Sequence, residues 1–316
     1  SVKSFNNPWG EPLTLARMPA ASRFAVFEAG MNHRHELAPL TAQIAPDVAM
    51  VTWIAPAHIE NLGTLEAIAD EKGDIYSGLG PDGVALVPAE APCADRLFAA
   101  ARRSAKHILR FGRGPECEAR LLSFTPTESG AIAEAEILGQ RLRYRIGAEG
   151  THWALNTLAA LTAAGQMGAD IEAAAAALAD LEALPGRGAA RTITTQAGRF
   201  TLVDDAYNAN PTSVGAALET LSTRPGQRRI AVLGDMLELG PQEAAFHAGL
   251  LAPLTAAGVD LVFCPGPRMA ALWSALPAQL RGGYAPDAAT LVPQVIGAVQ
   301  PGDVVLVKGS NGANMV

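Results

Sequence analysis

The densest group of polar side chains lies in DDAYNANPTS, at residues 204–213. The segment follows an apolar run, where carboxylates, amides and a phenol are costly to hold without a partner or a ligand. A purely structural interpretation needs one cap for the following helix, and Pro211 fits the first turn of that helix. Capping leaves Asp205, Tyr207 and Asn208 unexplained, so we predict a functional role for this segment.

Glu28 and His58 also follow apolar runs, in the first half of the chain. RFAVFE, at residues 23–28, is typical of a short buried strand, and the run at residues 47–54 precedes the loop that contains His58. Mg²⁺ prefers one or two carboxylates together with water and phosphate oxygens, so these residues at neighbouring strand ends predict a metal site. The alternative for His58 is a loop or core residue with an ordinary hydrogen bond.

Three further polar segments favour a function less strongly. Lys72 lies among acids in DEKGD, a pattern that by itself indicates a solvated helix face. GDMLELG, at residues 234–240, could bind a ligand, but aspartate and glycine also form ordinary turns. KGSNG, at residues 308–312, ends the last predicted strand and could bind an anion; the alternative, so near the end of the chain, is a disordered segment.

The sequence contains no GxxxxGK[ST] phosphate loop. One GxGxxG pattern is present, at Gly78, Gly80 and Gly83. It follows a predicted helix and precedes a predicted strand, which is the reverse of the dinucleotide-binding context. We therefore interpret it as the end of a helix followed by a turn.

The elements that position these residues alternate between strands and helices. In the first half, strands are predicted at residues 23–28, 47–54, 84–88 and 107–111, and helices at residues 36–44, 65–78, 151–164 and 170–181. Between them, residues 119–146 alternate apolar and polar side chains, which predicts antiparallel hairpins.

The alternation is more regular after LPGRG, at residues 184–188. Strands are predicted at residues 200–204, 230–234, 261–264 and 304–308, and helices at residues 213–223, 242–257, 268–276 and 288–299. Strands separated by helices favour a parallel, doubly wound sheet, whose ligands lie at the carboxyl ends of the strands. We therefore predict an α/β fold with two domains, residues 1–186 and 187–316.

Composition argues against several classes of function. The 316 residues include 24 basic and 31 acidic side chains, for a net charge of -7, and the two signs are interspersed; we predict no nucleic-acid binding. No apolar stretch reaches the ~18 residues of a membrane span, and the N-terminus lacks the apolar core of a signal peptide. We expect a cytoplasmic protein without membrane insertion, with its three cysteines as reduced thiols.

Nine segments, taken together and in order, resemble the Mur ligase family. They span nearly the whole chain, and the ordered set is specific although no single segment is decisive. The segments are residues 4–14 (SFNNPWGEPLT), 27–33 (FEAGMNH), 56–60 (PAHIE), 71–75 (EKGDI), 152–160 (HWALNTLAA), 185–187 (PGR), 204–213 (DDAYNANPTS), 234–240 (GDMLELG) and 307–310 (VKGS).

This resemblance implies a central P-loop-type mononucleotide-binding domain with a small antiparallel part, followed by a Rossmann-like C-terminal domain. It also implies an ATP-dependent amide-bond ligase of peptidoglycan precursor synthesis. Such an enzyme joins UDP-N-acetylmuramoyl-tripeptide to D-alanyl-D-alanine through an acyl phosphate, with ATP and Mg²⁺, and we expect it to be a monomer. The alternatives are a binding module of the same fold without the chemistry, and a related ligase such as folylpolyglutamate synthase.

The resemblance implies metal-site roles for three residues. Glu28 and His58 would bind Mg²⁺. Lys72 would be carbamylated, which converts an ammonium into an anion that can lie near a second metal ion. This implication, rather than the spacing of the residues, reverses the interpretation of Lys72 as part of a solvated helix face.

Other roles implied by the resemblance concern the nucleotide and the substrate. Asn156 would contact the adenine, Arg187 the phosphates or the ribose, and Asp205 the ribose hydroxyls. Asn6 and Asn7 would contact the UDP-muramoyl substrate. The remaining expected site positions are His152, Tyr207, Asn208 and Asn210 beside the nucleotide and Asp235, Lys308 and Ser310 beside the substrate.

The sequence departs from the family's pattern at both ends. The family has an N-terminal domain that holds the UDP group and then a Gly-Lys-Thr phosphate loop, and both would precede the part that matches Ser1. A final helix would follow residues 307–310. We therefore expect these residues to belong to a longer protein, to lack the first strand and P-loop helix of the central sheet, and not to turn over alone.

Overall fold

The computed structural model of the chain describes residues 6, 8–127 and 130–315. The chain forms two compact units. The first contains Ser1–Thr125, Ile132–Ile146 and Trp153–Asp180, and the second contains Pro126–Ala131, Gly147–His152 and Leu181–Val316. The domain boundary between residues 186 and 187 stays a prediction.

A six-stranded sheet organises the first unit, with its strands in chain order. The strands are β1 (Val48–Met50), β2 (Val84–Pro88), β3 (His107–Gly112), β4 (Ala119–Thr127), β5 (Gly130–Ile137) and β6 (Gln140–Ile146). β1 to β4 pair in parallel. The turn between β5 and β6 consists of Leu138 and Gly139, both with positive φ, which is typical of a two-residue hairpin.

Helices complete the first unit. They are α1 (Gly10–Ala16), α2 (Leu37–Ile44), α3 (Ile59–Leu62), α4 (Leu65–Gly73), α5 (Ala94–Ser104), α6 (Thr151–Gln166) and α7 (Ile171–Ala177). Four of them, α2, α4, α6 and α7, lie at predicted positions, whereas α1, α3 and α5 were not predicted. A 3₁₀ turn, Asp74–Gly78, extends α4 to the predicted end at residue 78. The amide of Gly83 donates to the carbonyl of Gly80 at 2.9 Å, so the GxGxxG pattern is a helix end and a turn, as predicted.

The core of the first unit forms around β2, which is buried at every position. Ile54, Ile68 and Leu97 pack into the same cluster. Tyr76 is fully buried there, and its hydroxyl donates to the carbonyl of Leu86 at 2.9 Å. The hydrogen bond removes the penalty of burying the phenol and ties the turn after α4 to the sheet.

Residues 23–28 do not form the predicted buried strand, and this expectation is wrong. They have no regular secondary structure, and they pair with no strand among the residues that the structure describes. Val26 is 96% exposed and Phe24 is about half exposed. The apolar composition indicated a strand, but a strand also needs a neighbour to bind its backbone groups.

The second unit contains a six-stranded sheet in the order β11-β10-β9-β12-β8-β7. Its strands are β7 (Ala189–Thr195), β8 (Gly198–Asp205), β9 (Arg229–Leu233), β10 (Leu261–Pro265), β11 (Arg281–Ala285) and β12 (Val304–Lys308). All neighbours pair in parallel except β7, which is antiparallel to β8. The helices are α8 (Pro211–Thr223), α9 (Glu243–Gly249), α10 (Leu251–Ala256), α11 (Ala270–Ala275) and α12 (Ala288–Ala298).

Most predicted elements of the second unit are confirmed, but two strands were missed. β7 is mostly exposed along its length, so it lacks the apolar run that marks a buried strand. β11 contains Gly282 and Gly283, which are poor strand formers. The helix predicted at residues 242–257 is two helices, α9 and α10.

The register of β12 fixes the edge of the second sheet. β12 lies between β8 and β9, and its last residue, Lys308, pairs with Asp205 on one side and Leu233 on the other. The carboxyl ends of three parallel strands therefore stop at one level. The loops that follow them, which begin at Ala206, Gly234 and Gly309, are forced into contact.

In the part of the chain that the structure describes, no helix is long and apolar enough to cross a membrane.

Candidate active site

Lys308 holds together the strand ends of the second unit. Its side chain is only 3% exposed, and its ammonium donates to Asp205 Oδ2 at 2.7 Å and to the carbonyl of Asn208 at 2.9 Å. Burial raises the pKa of Asp205 above its ordinary value, and the Lys308 ammonium opposes that rise. The ion pair anchors the loop after β8 to the end of β12.

Ser310 links the three post-strand loops. Its hydroxyl donates to the carbonyl of Ala209 at 3.3 Å and accepts from the amide of Leu237 at 2.9 Å. Its own amide donates to the carbonyl of Asp235 at 3.0 Å. The polar groups of Ser310, like the ammonium of Lys308, thus bind neighbouring loops, and direct substrate contacts by these two residues stay a prediction.

Arg187 lies over the aromatic ring of Tyr207, with its guanidinium carbon 4.0 Å from the ring centroid. The turn that carries Arg187 is bound to the end of β8: the amide of Gly186 donates to Asp204 Oδ2 at 3.1 Å, and the amide of Gly188 donates to the Asp204 carbonyl at 2.8 Å. This role of Asp204 was not predicted, although an aspartate directly after the apolar residues of a strand was a signal.

Asn210 and Ser213 form a capping box at the start of α8. Asn210 Oδ1 accepts from the amide of Ser213 at 2.9 Å, and Ser213 Oγ accepts from the amide of Asn210 at 3.0 Å. This arrangement explains Asn210 by helix capping. Its predicted nucleotide contact and that of Asn208, whose Oδ1 accepts from the amide of Ala209 at 2.8 Å, stay predictions.

Asp235 is buried at the end of β9. Its Oδ1 accepts from the amide of Met269 at 3.1 Å, and its Oδ2 lies 3.7 Å from the Arg268 guanidinium. Burial raises the pKa of Asp235, while the amide of Met269 and the Arg268 guanidinium oppose the rise. The same loop is held by His247, which is fully buried and whose Nε2 accepts from the amide of Met236 at 3.0 Å.

Because Nε2 of His247 is an acceptor, its Nδ1 carries the proton and donates to the carbonyl of Glu243 at 2.7 Å. His247 therefore ties the backbone of Met236, beside Asp235, to the first turn of α9. Arg268 also donates to Glu243 Oε2 at 2.7 Å. Neither His247 nor Arg268 stood out in the sequence, because each lies far along the chain from the strand end that it supports.

Lys72 lies on a buried part of α4 and not on a solvated helix face. Its ammonium donates to the carbonyl of Trp53 at 3.3 Å, and burial lowers its pKa. The neighbouring acid, Glu71, is also buried and accepts from the amides of His35, Glu36 and Leu37 at 2.6 to 2.9 Å. Glu71 therefore caps α2, while Lys72 points to the segment after β1.

Glu28 lies beside two residues of the N-terminal segment. Asn6 Nδ2 donates to Glu28 Oε1 at 3.2 Å. Glu11 is only 3% exposed, and among the described residues neither of its carboxylate oxygens has a hydrogen-bond partner. Burial raises the pKa of Glu11 to about 7; the nearby Gly30 amide lowers it and the Glu28 charge adds to the rise. Asn7 lies outside the described residues.

His58 adopts the left-handed backbone conformation, with φ of 60°, immediately before α3. This conformation is uncommon for residues other than glycine and is often found at functional sites. Among the described residues, one group of three potential metal ligands has its atoms close together, His35, Glu71 and Asp74, but both Glu71 oxygens already accept from amides. A Mg²⁺ site formed by Glu28, His58 and Lys72 stays a prediction.

His152 and Asn156 are exposed on α6. Side chains four residues apart lie on one face of a helix. This placement is compatible with the predicted nucleotide contacts of both residues, which stay predictions.

Two family profiles match the chain. The Mur ligase middle domain matches residues 1–164, and the Mur ligase, glutamate ligase domain matches residues 186–311. UDP-N-acetylmuramoyl-tripeptide–D-alanyl-D-alanine ligase from Escherichia coli (strain K12) is 32% identical over 316 residues, which cover 99% of this chain and 68% of that protein.

Solved structures of similar ligases have the same fold as this chain. MurF from Acinetobacter baumannii superposes with a TM-score of 0.89 at 26% identity, over 99% of this chain and 67% of the other. MurF ligase from Thermotoga maritima in complex with ADP superposes with a TM-score of 0.83 at 26% identity, over 97% of this chain and 68% of the other. The chain thus spans about two thirds of the length of each of these relatives.

Removing the Lys308 ammonium should destabilise the protein. Lys308→Met leaves the Asp205 carboxylate half-buried without its counter-charge, and we expect the free energy of unfolding to fall by roughly 3–5 kcal/mol. Lys106→Met is the matched control, because Lys106 pairs with Asp82 on the surface and such pairs contribute less than about 1 kcal/mol. Urea denaturation measures both, and equal losses would contradict the structural role of Lys308.

Replacing Glu11 should stabilise the protein in a pH-dependent way. As the pH rises from 4.5 to about 7, the unfolded state loses the Glu11 proton before the folded state does, so wild-type stability falls across that window. Glu11→Gln cannot ionise and avoids this loss. We expect it to be more stable than wild type by about 1–3 kcal/mol at pH 8 and by little at pH 5. Denaturation at both pH values tests this, and a pH-independent difference would contradict it.

Proposed function

Because this chain belongs to the Mur ligase family, we propose that it carries most of the active site of an ATP-dependent ligase that adds D-alanyl-D-alanine to UDP-N-acetylmuramoyl-tripeptide. The main support is that both family profiles and the similar ligases cover the two units in order. The reaction belongs to peptidoglycan precursor synthesis, and we place it in the cytoplasm, where ATP is available.

We propose that the carboxyl edge of the second sheet holds the ribose and phosphates of ATP. The structure of a similar ligase with ADP supports nucleotide binding by this fold. A carboxylate offers about four lone-pair positions, so Asp205 can accept from ribose hydroxyls while it binds Lys308. The planar guanidinium of Arg187 presents several N–H donors, which suits phosphate oxygens.

We propose that Glu28 and His58 hold Mg²⁺. A carboxylate oxygen and an imidazole nitrogen can both bind a divalent cation. The Glu28 charge contributes to the raised pKa of the nearby Glu11, and a cation beside Glu28 would offset that charge. When bound, Mg²⁺ neutralises phosphate charge and polarises the transferring phosphoryl group. Asn6 orients the Glu28 carboxylate through its amide.

We propose that Lys72 is carbamylated. Its burial favours the neutral amine, which is the form that attacks CO₂: the nitrogen lone pair forms the N–C bond and one amine proton is released to solvent. The product is an anion at the same position. Lys106, which is exposed and paired with Asp82, has no such environment.

The proposed reaction has two steps. The carboxylate of the tripeptide attacks the γ-phosphorus of ATP, so that an acyl phosphate forms and ADP leaves. The amine of D-alanyl-D-alanine then attacks the acyl carbon, phosphate leaves, and the nitrogen loses a proton to give the amide. Bringing a carboxylate to a triphosphate is electrostatically unfavourable, so positive groups such as Arg187 are needed to stabilise the approach.

A test of this function measures phosphate release by the full-length gene product. We expect release to require ATP and UDP-N-acetylmuramoyl-tripeptide and to be stimulated by D-alanyl-D-alanine. Stimulation by L-glutamate with a folate substrate would instead identify a folylpolyglutamate synthase. Nucleotide binding without release under any of these conditions would identify a binding module and overturn the proposal.

Lys72→Ala should reduce turnover by roughly 100-fold, because the anion at this position is lost. Added formate or acetate should restore part of the activity, since a small carboxylate can occupy the space. Lys106→Ala should retain wild-type turnover. In ¹³C-bicarbonate, wild type should give a carbamate carbon resonance that Lys72→Ala lacks. Unchanged turnover in Lys72→Ala would mean that the residue has only a structural role.

A further inference from the structure

We propose that Tyr207 is a positioning residue that holds the Arg187 guanidinium ready for the nucleotide, and that it does so through the face of its ring and not through its hydroxyl. The inference rests on the proposed function, in which Arg187 contacts the phosphates or ribose. It assigns to Tyr207 an indirect role that the sequence pattern does not show.

The backbone fixes the two residues against each other. The amide of Tyr207 donates to the carbonyl of Gly186 at 2.9 Å, next to the Asp204 bonds that hold Gly186 and Gly188. Gly186 has a φ of 74°, and a Cβ there would lie 3.1 Å from Tyr207 Cβ. Glycine thus permits a close approach of the two segments, and the positions of Arg187 and Tyr207 follow from it.

The Tyr207 ring orders the Arg187 side chain, which the backbone contacts do not hold. An arginine side chain has many rotamers, and ordering one of them on binding a ligand carries an entropic penalty. A guanidinium that already lies on an aromatic face has been ordered in advance. The planar guanidinium carries its N–H donors at its edge, so a guanidinium held over the ring can still donate to an anion.

The surrounding charge makes the ring contact necessary. Asp204 is bound to the Arg187 turn, and Arg187 is close enough to Asp205 to lower the pKa of that carboxyl, although burial raises it more. Without a competing contact, the guanidinium would be drawn towards these two carboxylates. The Tyr207 side chain is 47% exposed, so the stacked pair stands at the surface of the unit, where a ligand can reach it.

The test uses Tyr207→Leu and the conservative Tyr207→Phe in the full-length protein. Tyr207→Leu keeps an apolar side chain but removes the π face, and we expect it to raise the KM for ATP by about two- to five-fold with a smaller effect on kcat. Tyr207→Phe should recover most of that loss. In the Arg187→Gln background, Tyr207→Leu should have no further effect on the KM, because the residue acts through Arg187.

A second readout does not depend on turnover. The ring current of Tyr207 should shift the Nε–Hε resonance of Arg187 upfield in wild type and Tyr207→Phe, and Tyr207→Leu should lose that shift. An equal rise in the KM for ATP in Tyr207→Phe and Tyr207→Leu would overturn the proposal. Additive effects of Arg187→Gln and Tyr207→Leu on that KM, or an unshifted Arg187 resonance in wild type, would also overturn it. Absence of ligase activity in wild type with the shift present would instead contradict the proposed function.

Discussion

The second unit depends on one ion pair, between Lys308 and Asp205. β12 lies in the middle of its sheet, so the residue at its end has neighbours on both sides and little access to water. A lysine in such a place needs a counter-charge, and the parallel register supplies Asp205 directly opposite. The bond from the same ammonium to the Asn208 carbonyl then bends the loop after β8 back over the strand end. The conformation of the polar segment is thus tied to a residue about a hundred positions later.

Many polar residues of the motifs hold other loops in place. Asn210 caps α8, Ser310 joins three loops, and Glu71 caps α2. Each of these contacts satisfies a backbone group that would otherwise be buried without a partner. The residues left for chemistry, such as Asp205 and Arg187, are therefore few, and their positions are determined by the others. Most polar side chains of such a motif therefore position the few residues that could contact a ligand.

The sequence predicted those strands that are continuous apolar runs. β2, β9 and β12 are short apolar runs between helices, and their ends locate the edge where the polar residues collect. The sequence did not predict elements that depend on pairing with a neighbouring strand. Residues 23–28 are apolar, yet they have no partner strand among the described residues. The exposed β7 and the glycine-containing β11 are strands because a neighbouring strand is present. The sequence also did not predict side-chain roles that depend on contacts in the folded chain, such as those of Glu71 with the amides at the start of α2 and of His247 with the amide of Met236.

Lys308 and Lys72 differ in the groups that surround their ammonium nitrogens. The Lys308 ammonium donates to a carboxylate at 2.7 Å, so the residue serves as a fixed counter-charge. The partner found for Lys72 is the carbonyl of Trp53 at 3.3 Å. A carbonyl dipole offsets less of the desolvation penalty, and the pKa of Lys72 falls. An apolar side chain of similar length would fill that space without the penalty. The neutral amine is the form that the proposed carbamylation of Lys72 requires.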